Sequence, residues 1–163
     1  MARSQTTVRI QRPADRVFAC IEQHAWTNEP AWEPEVLGVE PLDRGGIRVG
    51  GRVAMTRKDF GRTQTTTYEI TAIEAPRRLA IRHLDGPMDF TLEFLVVPAG
   101  ENATDVTASV DMSPRGAWRL LAPVFALGGQ SRNARISHDM AAAIEAATGA
   151  MPELVAAQAT SRL

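Results

Sequence analysis

The 163-residue chain has the length of one globular domain, and its formal charge of −1, with no basic run, argues against a nucleic-acid partner. No apolar run approaches the roughly 20 residues that cross a bilayer, the first residues lack the apolar centre of a signal peptide, and the single Cys20 excludes an intramolecular disulfide. We therefore expect a cytoplasmic protein that does not insert into membranes.

The first quarter of the chain predicts a strand, two short helices and a second strand. Polar and apolar residues alternate over 6–11, which indicates a strand. Pro13 near the start and Asp15 in the first turn mark the helix that follows. Segment 25–34 holds two tryptophans among prolines and is too broken for a long helix, so it either walls a pocket or plugs the mouth of the fold. A second strand is predicted over 36–42.

A tight turn at Phe60-Gly61 predicts the first hairpin of the sheet, between strands 52–60 and 62–73. One face of this hairpin is apolar toward one end and polar toward the other. The cross-strand pairs implied by the turn are Val53 with Tyr68, Met55 with Thr66, and Arg57 with Gln64.

A two-residue turn at Asp85-Gly86 predicts the next hairpin, between strands 79–84 and 88–97. A slip of one residue would send inward-facing side chains such as Phe90 to solvent, so we expect this register to be strongly specified. The implied pairs are Ile81 with Phe90, His83 with Met88, and Arg82 with Asp89. The inner face of the last strand is predicted to hold Val106, Ala108, Val110 and Met112.

A long C-terminal helix is predicted from Ser113-Pro114 to the neighbourhood of Gly149, because serine is a good N-cap and proline suits the first helical position. Pro123 and the Gly128-Gly129 pair weaken the helical ladder, so we expect a kink or bulge there. The glycine pair leaves empty volume, and Arg132 on the inner stripe requires a partner such as water or a carboxylate; both features suit the lid of a cavity. The predicted stripe contains Trp118, Leu121, Phe125, Arg132, Ile136, Met140 and Ala143.

The order of elements predicts an α+β fold of the helix-grip type, in which a curved seven-stranded antiparallel sheet wraps around the C-terminal helix, with two short helices between strands 1 and 2. Four segments, at 10–18, 32–36, 73–80 and 114–116, resemble the START/Bet v 1-like (SRPBCC) superfamily and, within it, the polyketide cyclase/dehydrase-like group. The resemblance covers about residues 6–147. We therefore assign residues 1–148 to one domain and 149–163 to a C-terminal tail.

The resemblance implies an internal cavity, between sheet and helix, for an apolar or aromatic molecule that is lipid-like or polyketide-like. Two alternatives stay open: an aromatase/cyclase-like enzyme acting on a polyketide or related carbonyl compound, and a protein-interaction domain of co-chaperone or antitoxin type. Members of the superfamily share no single catalytic signature. We expect no cofactor, a hydrophobic small molecule as the partner, and a monomer or homodimer.

Candidate site residues follow from the inward face of the predicted sheet. The three histidines lack metal-ligand spacing, so no metal site is predicted. His83, Arg57 and Tyr68 are weak candidates for proton transfer, against the alternative that His83 is a rim residue bonded to water or backbone and that Arg57 is a solvated strand end. The candidate ligand-binding residues are Trp32, Met55, Arg57, Tyr68, His83, Phe90, Leu92, Phe125, Gly128, Arg132 and Ile136. Filling Gly128 or Gly129 with leucine is expected to impair binding more than folding.

Overall fold

The computed structural model describes residues 2–59, 61–85, 88–116 and 122–149. Within these ranges the chain forms seven strands and two helices. The elements are β1 (Ala2–Ile10), α1 (Ala14–Thr27), β2 (Val36–Pro41), β3 (Arg52–Asp59), β4 (Arg62–Glu74), β5 (Arg78–His83), β6 (Met88–Pro98), β7 (Thr104–Pro114) and α2 (Ala122–Gly149).

The strands form one antiparallel sheet in the order β1-β7-β6-β5-β4-β3-β2. From β2 to β7 each strand pairs with the next one in the chain, and β1 pairs with β7 at one edge of the sheet. The predicted α+β class, the seven-stranded antiparallel sheet and its long C-terminal helix are confirmed.

One helix, rather than the two short helices predicted, connects β1 to β2. α1 ends at Thr27 because Asn28 adopts a left-handed conformation (φ 63°) and its backbone N–H donates to the carbonyl of His24 at 2.9 Å. Pro30 and Pro34 lack the N–H groups that a second helix would use. The segment 28–35 therefore crosses to β2 without helical structure.

The β3–β4 hairpin has the predicted register. Val53 pairs with Tyr68, Met55 with Thr66, and Arg57 with Gln64. Strand pairing continues to Asp59 and Arg62, which flank the turn and leave two residues to make it.

The predicted β5–β6 register is wrong by two residues, because Arg82 pairs with Thr91, and Ile81 with Leu92. The connection between the strands is longer than a two-residue turn. Asp85 leans toward β4, where its Oδ1 accepts a hydrogen bond from the backbone N–H of Thr67 at 2.9 Å. A shift of two residues preserves the faces of a strand, so Leu92 still faces inward.

The opposite charges that suggested the wrong β5–β6 register are satisfied elsewhere. Arg82 forms its ion pair with Glu69 on β4, at 2.6 Å. Asp89 accepts hydrogen bonds from Arg115. A charge pair is therefore a poor guide to register when each partner has another ion within reach.

The C-terminal helix does not begin at Ser113-Pro114. Both residues belong to β7, where they pair with Asp89 and Met88 on β6. A proline is tolerated here because the described pairing of β1 with β7 ends at Met112, so Pro114 lies beyond the paired stretch on that side. Helix α2 is described from Ala122, and it continues as α-helix through both glycines of the Gly128-Gly129 pair, where a kink or bulge was predicted.

The buried stripe of α2 lies one position beyond the predicted one, and it is partly polar. It contains Asn133, Ser137, Met140 and Ile144, while Arg132 and Ile136 flank it. Of the predicted stripe, Met140 is buried and Ala143 partly buried. Trp118 and Leu121 lie outside the described residues, as do the side-chain surroundings of Phe125 and Gly128.

Helix α2 runs alongside the edge strand β1. Just after the glycine pair, Gln130 Nε2 donates to the carbonyl of Gln5 at 3.0 Å, and near the end of the helix, Glu145 Oε1 accepts from the N–H of Gln11 at 2.7 Å. Between these points Asn133 Nδ2 donates to the carbonyl of Ala108 on β7 at 3.2 Å. One flank of α2 is thus held by β1 and β7, and its other flank is left to face the rest of the concave sheet.

Candidate functional site

Inward-facing side chains are buried toward one end of the sheet and only half-buried toward the other. Around α1, the inner faces of β3 to β6 are fully covered, as Val53, Tyr68, Ile81 and Phe94 show. Farther along the same faces, coverage is incomplete. The half-buried residues, called here the open end of the sheet, are Met55, Arg57 and Asp59 on β3, His83 on β5, Met88, Phe90 and Leu92 on β6, and Val110 and Met112 on β7.

A set of four charged residues, called here the charged cluster, joins three elements at this open end. It comprises Glu33 of segment 28–35, Arg57 and Asp59 of β3, and Arg132 of α2. Arg57 Nε lies 2.7 Å from Asp59 Oδ2, and Arg132 donates to Asp59 Oδ1 at 3.0 Å. Glu33 Oε2 lies farther from Arg57, at 3.5 Å. The carboxylate expected for Arg132 is therefore Asp59.

A second ion pair connects α2 to the segment before β2. Arg135, one turn from Arg132, donates to Glu35 Oε1 at 2.5 Å. The two arginines extend from the flank of α2 that does not rest on β1. They connect the helix to β3 and to segment 28–35, so that α2 spans the concave face of the sheet between its two edges.

The two acids that meet Arg57 differ in their pKa shifts. Burial raises the pKa of Glu33 above its ordinary value, and the charges of Arg57 and Arg132 oppose this shift only in part. Burial also acts to raise the pKa of Asp59, but the hydrogen bond from Arg132 and the two arginine charges outweigh it, so this pKa is lowered. Asp59 is therefore the anionic partner of the arginines, while Glu33 holds its proton more strongly.

Tyr68 is fully buried beneath the open end. Its hydroxyl donates to the backbone carbonyl of Ala25 on α1. Burial, assisted by the charge of Glu33, raises the pKa of Tyr68. The phenolic proton of Tyr68 is therefore used in a hydrogen bond that holds α1 against the sheet.

Trp32 belongs to a packed plug between α1 and segment 28–35. Its ring stacks on that of His24 with centroids 3.4 Å apart, and His24 Nδ1 donates to the carbonyl of Pro30 at 2.9 Å. Burial lowers the pKa of His24 to about 4, so the ring is neutral at neutral pH. Of the two roles proposed for segment 25–34, the plug agrees better with the burial of Trp32.

His83 is half-buried at the open end, and its ring is tilted against that of Phe90 with centroids 4.5 Å apart. Burial lowers its pKa, as does the charge of Arg57, while Asp85 opposes the shift. His83 is therefore neutral at neutral pH, and as a neutral ring it can both donate and accept a hydrogen bond.

Four buried hydroxyl groups have no hydrogen-bond partner within the described structure, and they belong to Ser4, Thr6, Thr66 and Ser137. Thr66 Oγ1 lies on the inward face of β4, and Ser137 Oγ lies on the buried stripe of α2. A buried hydroxyl without a partner is costly, so both groups are available to water or to a ligand.

The structure brings most of the predicted site residues to one region. Arg57, His83 and the predicted apolar residues of β3 and β6 lie at the open end, and Arg132 reaches it from α2 through Asp59, whereas Ile136 is partly buried against the hydrophobic core. Glu33 was missed because it lies in a segment without periodicity, where the sequence gives no direction to a side chain. In the described ranges, no three His, Cys, Asp or Glu side chains are grouped as a metal ion would need.

A sheet that grips a C-terminal helix, with a half-buried inner face on one side of it, defines the class of helix-grip proteins. The family described as "Polyketide cyclase / dehydrase and lipid transport" matches residues 1–155, and the chain belongs to this family. Comparison with curated protein sequences gives no match. No helix in the described part of the chain is long and apolar enough to span a membrane.

Solved structures of other proteins share the fold at low sequence identity. A protein from Thermus thermophilus has a TM-score of 0.72 at 17% identity, with 89% of this chain and 98% of that chain covered. The Zhui aromatase/cyclase from a Streptomyces species has a TM-score of 0.69 at 19% identity, covering 94% and 96%. A START superfamily protein from Mycobacterium smegmatis has a TM-score of 0.62 at 16% identity, covering 90% and 96%.

Proposed function

We propose that this protein binds an apolar or aromatic small molecule, lipid-like or polyketide-like, between the concave face of its sheet and helix α2. The observation that carries the proposal is the incomplete burial of the inner face at the open end, beside a fully buried region on the same strands. Apolar side chains such as Phe90 and Leu92 face inward there. A ligand that covers this apolar surface removes it from water, which is favourable for binding.

The presence of the charged cluster favours a ligand that has a polar group in addition to its apolar part. Arg57 and His83 lie at the open end beside apolar residues, so a bound molecule would meet hydrogen-bonding groups along one side. Small-molecule sites commonly combine an apolar lining with a few polar groups that orient the ligand. The cytoplasmic location and the monomeric or dimeric state remain expectations from the sequence.

An aromatase/cyclase-like activity is a second candidate, and one observation favours it. Two carboxyl groups with pKa values shifted in opposite directions, Glu33 and Asp59, meet at one guanidinium. Such a pair is a recurrent arrangement for proton transfer. If the protein is an enzyme of this kind, it should accelerate the exchange of the α-hydrogens of a bound ketone with heavy water, and Arg57→Gln should abolish the acceleration.

Fluorescence titration with the uncharged dye N-phenyl-1-naphthylamine tests the binding proposal, together with native mass spectrometry of gently purified protein. We expect saturable dye binding, weakened at least threefold by Leu92→Ala. Leu95→Ala is the matched control, because it removes the same side chain from the exposed outer face of the same strand. Absence of saturable binding, or equal losses in the two variants, would contradict the proposal.

A further inference from the structure

Thr66 is a buried polar residue on the inner face of the sheet, beside the open end. Its side chain points inward, because it pairs with Met55 of the open end and lies two residues before the buried Tyr68 on the same strand. Thr66 is only 8% exposed, and its Oγ1 has no hydrogen-bond partner in the described part of the chain. A buried hydroxyl group without a partner is costly, so its presence on this face indicates that a further molecule provides the partner.

His83 is the neighbour of Thr66 on the adjacent strand. His83 of β5 pairs directly with Tyr68 of β4, so Thr66 and His83 are diagonal neighbours on one face, with Cα atoms roughly 7–8 Å apart. The ring of His83 lies against that of Phe90, with centroids 4.5 Å apart, and its nitrogen atoms form no hydrogen bond with another described residue. A single oxygen atom placed between Thr66 and His83 can therefore contact both side chains.

Two stronger hydrogen-bonding groups nearby already have partners. The hydroxyl group of Tyr68 donates to the carbonyl of Ala25, and the guanidinium group of Arg57 lies 2.7 Å from Asp59. Neither group therefore needs the hydroxyl group of Thr66, which is left to meet a bound molecule.

We propose that Thr66 and His83 form a hydrogen-bonding subsite for a neutral hydroxyl group on the apolar ring system of the ligand. The inference rests on the proposed binding function, and it adds the ligand group that the open end recognises and the place where it is recognised. A hydroxyl group suits this pair because threonine and neutral histidine each contain a donor and an acceptor. The ligand can therefore accept a hydrogen bond from one residue and donate a hydrogen bond to the other.

The imidazole ring must be uncharged to accept a hydrogen bond. The ordinary pKa of histidine is about 6.5. Burial lowers the pKa of His83, as does the charge of Arg57, whereas Asp85 raises it. At pH 8 the ring is neutral even at the ordinary pKa, so binding measured at this pH does not depend on the size of the shift.

The pair distinguishes a hydroxyl-bearing molecule from an apolar one of the same shape. A ligand hydroxyl group gives up hydrogen bonds to water on binding, and the subsite replaces them. An apolar group in the same place excludes water from Thr66 without offering a partner, so the buried hydroxyl group stays unsatisfied. We therefore expect Thr66 to determine the preference between the two kinds of ligand.

Two naphthalenes of matched shape test the inference by displacing N-phenyl-1-naphthylamine at pH 8. 2-Naphthol and 2-methylnaphthalene carry a hydroxyl group or a methyl group on the same ring carbon. The quantity measured is the ratio of their affinities, and comparing this ratio between variants cancels the different tendencies of the two ligands to leave water. Thr66→Val exchanges the hydroxyl group for a methyl group, so the preference for 2-naphthol over 2-methylnaphthalene should fall about tenfold from the parent value.

Matched variants separate hydrogen bonding from changes in shape. Thr66→Ser keeps the hydroxyl group and should keep most of the preference for 2-naphthol. Thr63→Val makes the same exchange as Thr66→Val on the exposed outer face of β4, and it should leave the preference at the parent value. His83→Phe keeps an aromatic ring against Phe90 but removes the ring nitrogens, so the preference should fall in this variant too.

Urea unfolding provides a second readout, which a purely structural role of Thr66 would change. Thr66→Val removes no hydrogen bond within the described structure, so the urea midpoint of the ligand-free protein should not fall. A clear fall in the midpoint would show that the hydroxyl group serves the fold, and it would overturn the inference.

Failure of the inference differs from failure of the binding function. If both naphthalenes bind and the preference is the same in the parent and in Thr66→Val, the hydroxyl group of Thr66 contacts only water and the inference is wrong. An equal fall in Thr66→Val and Thr63→Val would overturn it as well. A preference that survives in His83→Phe would overturn the pairing of Thr66 with His83. If neither the dye nor either naphthalene binds to the parent, the proposed function itself is wrong.

Discussion

Gly129 offers a direct test of whether ligand space extends along α2. This residue lies inside the helix, partly buried, and a Cβ atom placed on it would lie 3.6 Å from the Cε methyl of Met112 on β7, with no other described atom outside the backbone of its own helix and its chain neighbours within 4 Å. This is an ordinary van der Waals distance. Gly129→Ala should therefore fit, and the gain in helix propensity should stabilise the protein by about 1 kcal/mol. For a domain of this size, that corresponds to a rise in Tm of about 2–4 °C.

Gly129→Leu keeps most of the propensity gain but adds three further carbon atoms toward Met112 and the open end. In a fully packed core, such overpacking would cost about 1–3 kcal/mol. In a space kept for a ligand, the leucine should be accommodated, with Tm within about 4 °C of the parent. The dye should then bind about tenfold more weakly, because the side chain occupies part of its volume.

The assay combines thermal melting with titration of N-phenyl-1-naphthylamine for the parent, Gly129→Ala and Gly129→Leu. Gly38→Leu on β2 is the control, because it adds the same side chain outside the open end, at a glycine where an added Cβ would have no described atom within 4 Å apart from its chain neighbours. Unchanged Tm together with unchanged dye affinity in Gly129→Leu would show that no ligand space reaches this part of α2. A large fall in Tm would show that the region is packed.

Three further predictions concern stability and are measured by urea unfolding. The pKa of His24 is about 4 in the folded chain and 6.5 ordinarily, so the unfolded chain takes up the proton first as the pH falls. The free energy of unfolding of the parent should therefore fall by about 2 kcal/mol between pH 7 and 4.5, and His24→Phe should not show this fall. Equal losses in both proteins would refute this. Tyr68→Phe leaves the carbonyl of Ala25 without its donor and should cost about 1–3 kcal/mol; a cost below about 0.5 kcal/mol would mean that water replaces the hydroxyl. Arg135→Gln removes a partly exposed ion pair that solvent screens, so the urea midpoint should hardly change, whereas a clear fall in the midpoint would indicate that this pair, rather than packing, holds α2 in place.

Local patterns in the sequence were sufficient for much of the fold. Strand alternation and a two-residue turn predicted the β3–β4 register, because a tight turn admits few pairings and a slip of one residue would expose an apolar face. The inward direction of Leu92 was also correct, although its cross-strand partner was not. Alternation decides which face a residue occupies, and a shift of two residues leaves that face unchanged.

Features that depend on a choice between distant partners were not predictable in this way. Arg82 could have paired with Asp89 or Glu69, and only the folded sheet shows that Glu69 is its partner. Ser113-Pro114 has the composition of a helix start, yet pairing with β6 extends β7 through both residues. In each case a local preference of about 1 kcal/mol competes with tertiary pairing, which can override it.

The sequence by itself determined the class of fold, the inward faces of its strands and the candidates Arg57, His83 and Arg132. Tertiary structure alone decided that Glu33 and Asp59 meet at Arg57, because Glu33 lies on a segment without periodicity, 24 residues before Arg57 in the chain. It also placed Asn133 and Ser137, rather than Arg132, on the buried stripe of α2, because the helix rests on β1 and β7 and this contact sets which of its sides is buried. Periodicity encodes which face of an element is apolar, whereas the meeting of polar groups depends on how the elements pack.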